Sequence, residues 1–304
     1  MRSRTNRGLA AAFAIALLLL LSAYGLRKGM TTAGNRVTIL YDAFGKSPTM
    51  IKDWGYSALV EYGGRRILFD TGNNPHIFAK NVKAAGVDLQ RLDFVVISHR
   101  HLDHTAGLTH LLSVNPEVKI YAPKEAFGPF GSSLPGKFYR GQDSLPKEMR
   151  YFDGDPREVL TAGTAWPTGK FVTVDSTLEI ASGVHLVSLI SEAPGTRELR
   201  ELSMAIETPK GLMVVAGCSH PGIEEIVAAA THISPKVHMV LGGFHLPSAT
   251  DADVARIANA LYETYRVERI APGHCSGEPA FYLFKKIWKE RYTYAGVGSV
   301  IRLP

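Results

Sequence analysis

The chain has 304 residues, 45% hydrophobic and 20% charged, with 29 glycines, 17 prolines and 2 cysteines, which excludes collagen-like, low-complexity and disulfide-stapled chains. At about 150 residues per domain the length allows one or two domains, and layered α/β folds reach this size as one. Five of the residues behind the net charge of +6 are Arg2, Arg4, Arg7, Arg27 and Lys28, so the body is nearly neutral and offers no electrostatic footprint for nucleic acid.

Residues 1–7 (MRSRTNR) carry three arginines, and residues 8–26 (GLAAAFAIALLLLLSAYGL) follow without a charge. At about 1.5 Å per residue such a run is nearly long enough to cross a bilayer, and a signal peptide has the same basic-then-apolar layout. No small-x-small cleavage site precedes Arg27 and no nearby cysteine could carry a lipid. Residues 1–28 are therefore read as a signal anchor in preference to a cleaved signal peptide. Both readings export the body: membrane-anchored outside the cytoplasm through that helix, or secreted or periplasmic after cleavage.

Short β-rich runs follow at residues 36–41 (RVTILY), 56–62 (YSALVEY) and 66–69 (RILF), separated by Gly and Pro signals. Residues 75–85 read as a helix ending at Gly86, residues 93–98 (DFVVIS) as a buried strand, 103–112 as a helix and 118–121 as a strand. Residues 127–170 hold many glycines and prolines without sustained period, and read as an irregular insertion or lid within a domain spanning 36–304. Its aromatic residues, Trp166 among them, either line a substrate pocket or pack the insertion onto the body. Strands resume at 184–190, 202–207 and 212–216, then a helix at 223–231 and a strand at 237–241. A helix at 250–265, a short strand at 269–271, a helix at 279–292 and a strand at 297–303 complete the chain. Strand clusters followed by helices in both halves predict two sheets with helices outside.

The chemistry concentrates where strands end. Residues 93–98 run into His99-Arg100-His101-Leu102-Asp103-His104. Three imidazoles and a carboxylate in six residues suit a divalent ion, with zinc first and manganese or iron as alternatives. His99 and His101, two apart on extended chain, can hold one ion; Asp103 and His104, at the turn into a helix, can face a second. His220, His245 and His274 stand in similar settings, each just after a strand and one or two glycines. Loops from one edge of a sheet converge, so these three are candidates for the same site. His76, His110, His185, His232 and His238 lack that setting and read as ordinary surface or core histidines.

At these residues the sequence resembles the metallo-β-lactamase superfamily: LFDTG at residues 68–72, HRHLDH at 99–104 and PGHC at 272–275. GCSHPGI (217–223), GGFHL (242–246) and HCSG (274–277) resemble its subgroup named for the dihydropterin synthase-like enzyme of methanopterin biosynthesis. The resemblance implies an α/β fold, an αββα sandwich with the metal site along one edge of the two sheets. It implies one or two divalent ions, His99 and His101 on the first, and Asp103, His104 and His274 on the second. Asp70 would hydrogen-bond a ligand imidazole and fix its tautomer. The superfamily's bridging aspartate is replaced here by Cys218, and its separate third histidine is absent upstream, which makes His220 the candidate for that position. Cys218 either bridges as a thiolate or stands aside while His220 ligates, and the second is preferred because imidazole suits more of these metals. His245 reads as an outer or substrate-facing residue. Cys218 and Cys275 both adjoin candidate ligands and read as buried or metal-proximal thiols ahead of a disulfide.

Such ions lower the pKa of bound water toward neutrality and polarise an oxygen under attack, with Asp103 orienting the hydroxide as well as binding metal. The expected function is hydrolysis of a small-molecule ester, lactone or phosphodiester. A pterin-type transferase and a non-catalytic metal-binding or sensor protein are the alternatives. Arg197, on a polar loop between strands, is a candidate contact for an anionic substrate, or else a solvated loop charge.

Overall fold

The computed structural model describes residues 34–125, 132–135, 143, 144, 146, 147, 150–155, 159–162, 166 and 168–304. The expected N-terminal helix and most of the expected insertion lie outside them. Among the described residues no helix is long and apolar enough to cross a membrane.

Strands β1 (Arg36–Tyr41), β2 (Ser57–Tyr62) and β3 (Arg65–Phe69) form an antiparallel meander. Helix α1 (Pro75–Ala84) then carries the chain across to β4 (Phe94–Val96), parallel to β3. Asn74 caps α1 by accepting from the backbone of His76 and Ile77, and Pro75 at the first helical position suits its fixed φ. Helices α2 (Leu102–Thr105) and α3 (Leu108–Val114) lead to β5 (Lys119–Pro123), parallel to β4. After a separate ribbon of β6 (Ser132–Pro135) and β7 (Val159–Ala162), β8 (Lys170–Val174) pairs with β5 at the sheet edge.

The second half repeats the plan. Strands β9 (Leu178–Ala181), β10 (Val184–Ile190), β11 (Arg200–Thr208) and β12 (Gly211–Ala216) form an antiparallel meander. Helix α4 (Ile223–Thr231), β13 (Val237–Gly243), α5 (Asp251–Asn259) and β14 (Arg269–Gly273) extend it in parallel. After helix α6 (Glu278–Trp288), β15 (Val300–Arg302) returns to the first sheet beside β1. The resulting orders are β15-β1-β2-β3-β4-β5-β8 and β14-β13-β12-β11-β10-β9.

The period of two along the strands builds three apolar layers. Ala58, Val60, Ile67, Phe69 and Val96 from the first sheet meet Leu186, Met204, Met213, Val215 and Leu241 from the second. Leu59, Leu68, Val95 and Ile97 face the other way, against Phe78 of α1 and Leu108 and Leu111 of α3. Leu212, Val214 and Val240 face Ile226, Ile257 and Phe284 of the opposite helix layer. Each large apolar side chain buried in these layers contributes about 1.5–3 kcal/mol. The architecture is α/β, two mixed sheets between helices, as the sequence led us to expect.

Several expected elements change. The single helix expected at 103–112 is broken at Gly107, where a Cβ would lie 2.1 Å from the Thr71 carbonyl oxygen; close approach to the end of β3 ends one helix and starts the next. The helix expected at 250–265 stops as α-helix at Asn259 and continues through Ala260–Thr264 as a wider turn, closed by Tyr265 N–H on the Ala260 carbonyl at 3.0 Å. Strands β8 and β9 were not expected. They are edge strands with mostly exposed side chains, so no periodic apolar signal marks them. Trp166 is buried with the α3 layer and donates to Thr109 Oγ1 at 3.0 Å, so it packs the insertion onto the body.

Candidate metal centre

The segments leaving the C-terminal ends of β3, β4, β12, β13 and β14 meet at one edge of the sandwich, where parallel strands of both sheets end. They carry Asp70, the HRHLDH string, Cys218 with His220, His245 and His274, respectively. Four residues of these segments have a left-handed backbone despite carrying a side chain: Asp70 (φ 57), Ser219 (φ 67), His245 (φ 52) and His274 (φ 44). Such conformations cost of order 1 kcal/mol or more each and persist only where surrounding contacts enforce them.

Those contacts form two buried networks. Asp70 accepts from the Ser98 N–H and from Ser98 Oγ, both at 2.7 Å, and from His104 Nδ1 at 2.7 Å. Ser98 Oγ in turn accepts from His99 Nδ1 at 2.8 Å. On the second sheet Glu201 accepts from the N–H groups of Cys218, Ser219 and His220 at 3.0, 2.7 and 2.8 Å, and from His220 Nδ1 at 2.9 Å. Every one of these partners takes the Nδ1 side of its imidazole, so His99, His104 and His220 present Nε2 lone pairs to the interior.

The inward donors fall into two groups. His99, Cys218 and His220 have donor atoms within 4.8 Å of one another, and so do His104, Cys218 and His274. His101 joins the first group, its Nδ1 3.1 Å from His99 Nε2. Asp103 joins the second, its Oδ2 3.6 Å from His104 Nε2 and 3.4 Å from His274 Nε2. His104 Nε2 lies 3.1 Å from Cys218 Sγ and 3.2 Å from His274 Nε2.

The electrostatics suit a cation. Burial, reinforced by the neighbouring imidazoles, pushes His99 well below its ordinary pKa and His101 down to about 4. Both are neutral bases at pH 7. Burial alone would raise Asp103, but the His274, His104 and His101 imidazoles hold it below the usual carboxylate range. Imidazoles, an ionised carboxylate and a cysteine sulfur, crowded together with the outer nitrogens of His99, His104 and His220 already occupied, are a donor set for one or two borderline ions such as zinc.

Cys218 and His220, left as alternatives by the sequence, reach the same centre. The Cys218 sulfur belongs to both groups. Asp70 lies behind His104 and does not face the donors. His245 is exposed, with its ring 4.3 Å from that of His220, and its donor atom lies with Cys218 and Cys275 in a third group. Both cysteines are free. Arg197 is exposed and faces Glu192 at 4.0 Å across its own loop. Of the histidines set aside, His185 pairs with Glu207 and His238 with Glu268, both away from the centre.

Three supporting residues escaped the sequence reading: Ser98, Glu201 and Asp42. Asp42 is buried at the end of β1, accepts from the His274 N–H at 2.9 Å, and is pushed up to about 7 by that burial. An acid directly after an apolar strand, as in RVTILYD, is the one signal that could have singled it out.

The model of the metallo-beta-lactamase superfamily matches residues 55–274. The chain is 28% identical over 295 residues to 7,8-dihydropterin-6-methyl-4-(beta-D-ribofuranosyl)-aminobenzene-5'-phosphate synthase of Methanocaldococcus jannaschii, covering 87% of this chain and 95% of that one. Among solved structures it resembles Tm1679, a metal-dependent hydrolase of the beta-lactamase superfamily, with TM-score 0.66 and 26% identity over 88% of this chain and 99% of the other. The metallo-beta-lactamase fold protein YhfI from Bacillus subtilis shares the fold at TM-score 0.56 and 15% identity, over 88% of this chain and 98% of that one. With the family model spanning most of the sandwich and the donor residues at its edge, the chain belongs to the metallo-beta-lactamase superfamily.

Proposed function

We propose that the chain is a metal-dependent hydrolase of an ester, lactone or phosphodiester. The observation that carries this reading is the pair of donor groups sharing Cys218, with the Asp103 carboxylate at their edge. His99, His101 and His220 would hold one ion, and Asp103, His104 and His274 another, with Cys218 available to both. A divalent ion there supplies Lewis acidity toward the scissile group and acidifies water. The chain's own residues supply the rest. Asp103 is ionised and keeps 20% of its side-chain surface open, so it can orient a water. Ser98, Asp70 and Glu201 hold the imidazoles in one tautomer. The buried walls limit access of bulk water.

A second reading, a synthase acting on a pterin, is supported by the 28% identity that runs along nearly all of both chains. The export expected from residues 1–28 weighs against it, since pterin biosynthesis is expected in the cytoplasm; export itself stands as a proposal on that segment.

The test is turnover by the purified chain, stripped of metal and reloaded with zinc, manganese or iron, on p-nitrophenyl acetate, a γ-lactone and bis(p-nitrophenyl) phosphate. At least about 100-fold stimulation over the stripped protein on one class, lost in Asp103→Asn with the fold retained by circular dichroism, is the expected result. Full metal loading without turnover of any class would overturn the hydrolase reading.

A further inference from the structure

A cleft of about 450 Å³ opens beside the metal centre, with His274 in its lining. That volume suits a small molecule or one arm of a larger one. Three of its lining residues are aromatic. Phe44 and Phe281 pack against each other with ring centroids 4.9 Å apart, and Trp54 stands with its ring 5.1 Å from that of His274. Trp54 is 49% exposed, whereas Trp288 is buried at 1% and Trp166 at 9%. A lone exposed apolar residue needs no explanation; an exposed indole against a buried ligand candidate, facing a cleft with two more aromatic rings, does.

The backbone on either side of the indole is also held in place. On its N-terminal side, Asp53 accepts from the Tyr41 hydroxyl, and the Asp53 N–H donates to the Asp42 carbonyl at 3.2 Å. On its C-terminal side Gly55 has φ 140, and a Cβ there would lie 2.5 Å from the Asp103 carbonyl oxygen. Tyr56 N–H donates to that same carbonyl at 3.2 Å. The loop bearing Trp54 is thus fastened directly to α2 and its N-cap, which bear Asp103, His104 and His101. An aromatic face pre-positioned in this way binds a planar ring with little ordering cost.

We propose that this cleft receives a planar aromatic or heteroaromatic ring of the substrate, stacked on Trp54, and that Trp54 sets specificity for it. The inference rests on reading the histidine cluster as the reaction centre, but its test needs binding only. Phenylphosphonate and cyclohexylphosphonate, matched in charge and ring size and inert to hydrolysis, are titrated calorimetrically into the zinc-loaded full chain. Cyclohexyl is the more apolar ring, so simple burial gives no preference for phenyl. The expected result is about fivefold tighter binding of phenylphosphonate, kept in Trp54→Phe and lost in Trp54→Leu. Equal or tighter binding of cyclohexylphosphonate, or a phenyl preference surviving in Trp54→Leu, overturns the proposal. Failure of the hydrolase reading would appear separately, as absent turnover alongside an intact phenyl preference.

Discussion

Glu201 is the second residue of β11, buried at 1% exposure, and its two oxygens accept four hydrogen bonds from the turn that carries Cys218 and His220. Burial opposes its ionisation, but His220 and the turn's N–H groups hold it ionised, below its usual range. Glu201→Gln turns an NH2 toward donors that need an acceptor. It is expected to cost about 2–4 kcal/mol in denaturant unfolding of the metal-free protein and to weaken zinc binding about 10- to 100-fold; unchanged values in both would contradict the role given to this residue. A pH effect belongs at the same scale. His101 is held at about 4 by burial and by the neighbouring His220 imidazole, whereas the unfolded chain titrates near its ordinary 6.5. Between those values the unfolded chain binds the extra proton, so this contribution to stability is present above pH 6.5 and is lost as pH falls toward 4. In metal-stripped protein, wild type is therefore expected to lose stability relative to His101→Asn across that window, measured by urea unfolding at stepped pH. Why one of these residues was legible and the other was not is a matter of distance along the chain. His99, His101, Asp103 and His104 share one short string. Glu201 meets its partners 17 to 19 positions away. It also shares its strand face with Glu207, which is exposed, so alternation cannot tell the buried acid from the solvated one.

The elements end in loops shaped by close backbone approach. At Gly217, directly after β12, a Cβ would lie 2.2 Å from Ser98 Oγ and 2.6 Å from Ser98 Cβ, with Asp70 Oδ2 at 3.2 Å. Here the end of a second-sheet strand presses on the Ser98–Asp70 network of the first. Gly217→Ala is expected to push Ser98 off Asp70, destabilise the protein by about 1–3 kcal/mol and lower zinc content per chain. Thermal unfolding and elemental analysis of the variant check this, and wild-type values for both would show that the contact is slack. The central strands and α1, α4 and α6 were readable because their buried faces repeat at the periods of strand and helix. Strands β8 and β9, exposed at the sheet edges, carry no such period. The break at Gly107 was hidden as well, because its cause is the Thr71 carbonyl, 36 residues earlier in the chain.

Across the whole molecule, His99, His101, Asp103 and His104 follow a strand of one sheet, and Cys218, His220 and His274 follow strands of the other. An ion held between them ties the two sheets at their shared edge. Removing zinc with a chelator is expected to lower the unfolding midpoint, and free zinc at about 1,000 times its dissociation constant to restore about 4 kcal/mol. Scanning calorimetry with and without chelator decides it; coincident transitions would mean that no ion bridges the sheets. Much of this molecule was determined by its sequence alone: the α/β class, the two clusters of strands and helices, and the histidine string, since each is written in local period or adjacency. Tertiary structure decided the rest. It placed Cys218 between both donor groups, buried Glu201 and Asp42 behind His220 and His274, and set Trp54 at the mouth of the cleft. The physical reason is that a donor set closes only when strand ends far apart in sequence reach one sheet edge, and no local pattern records which of them arrive together.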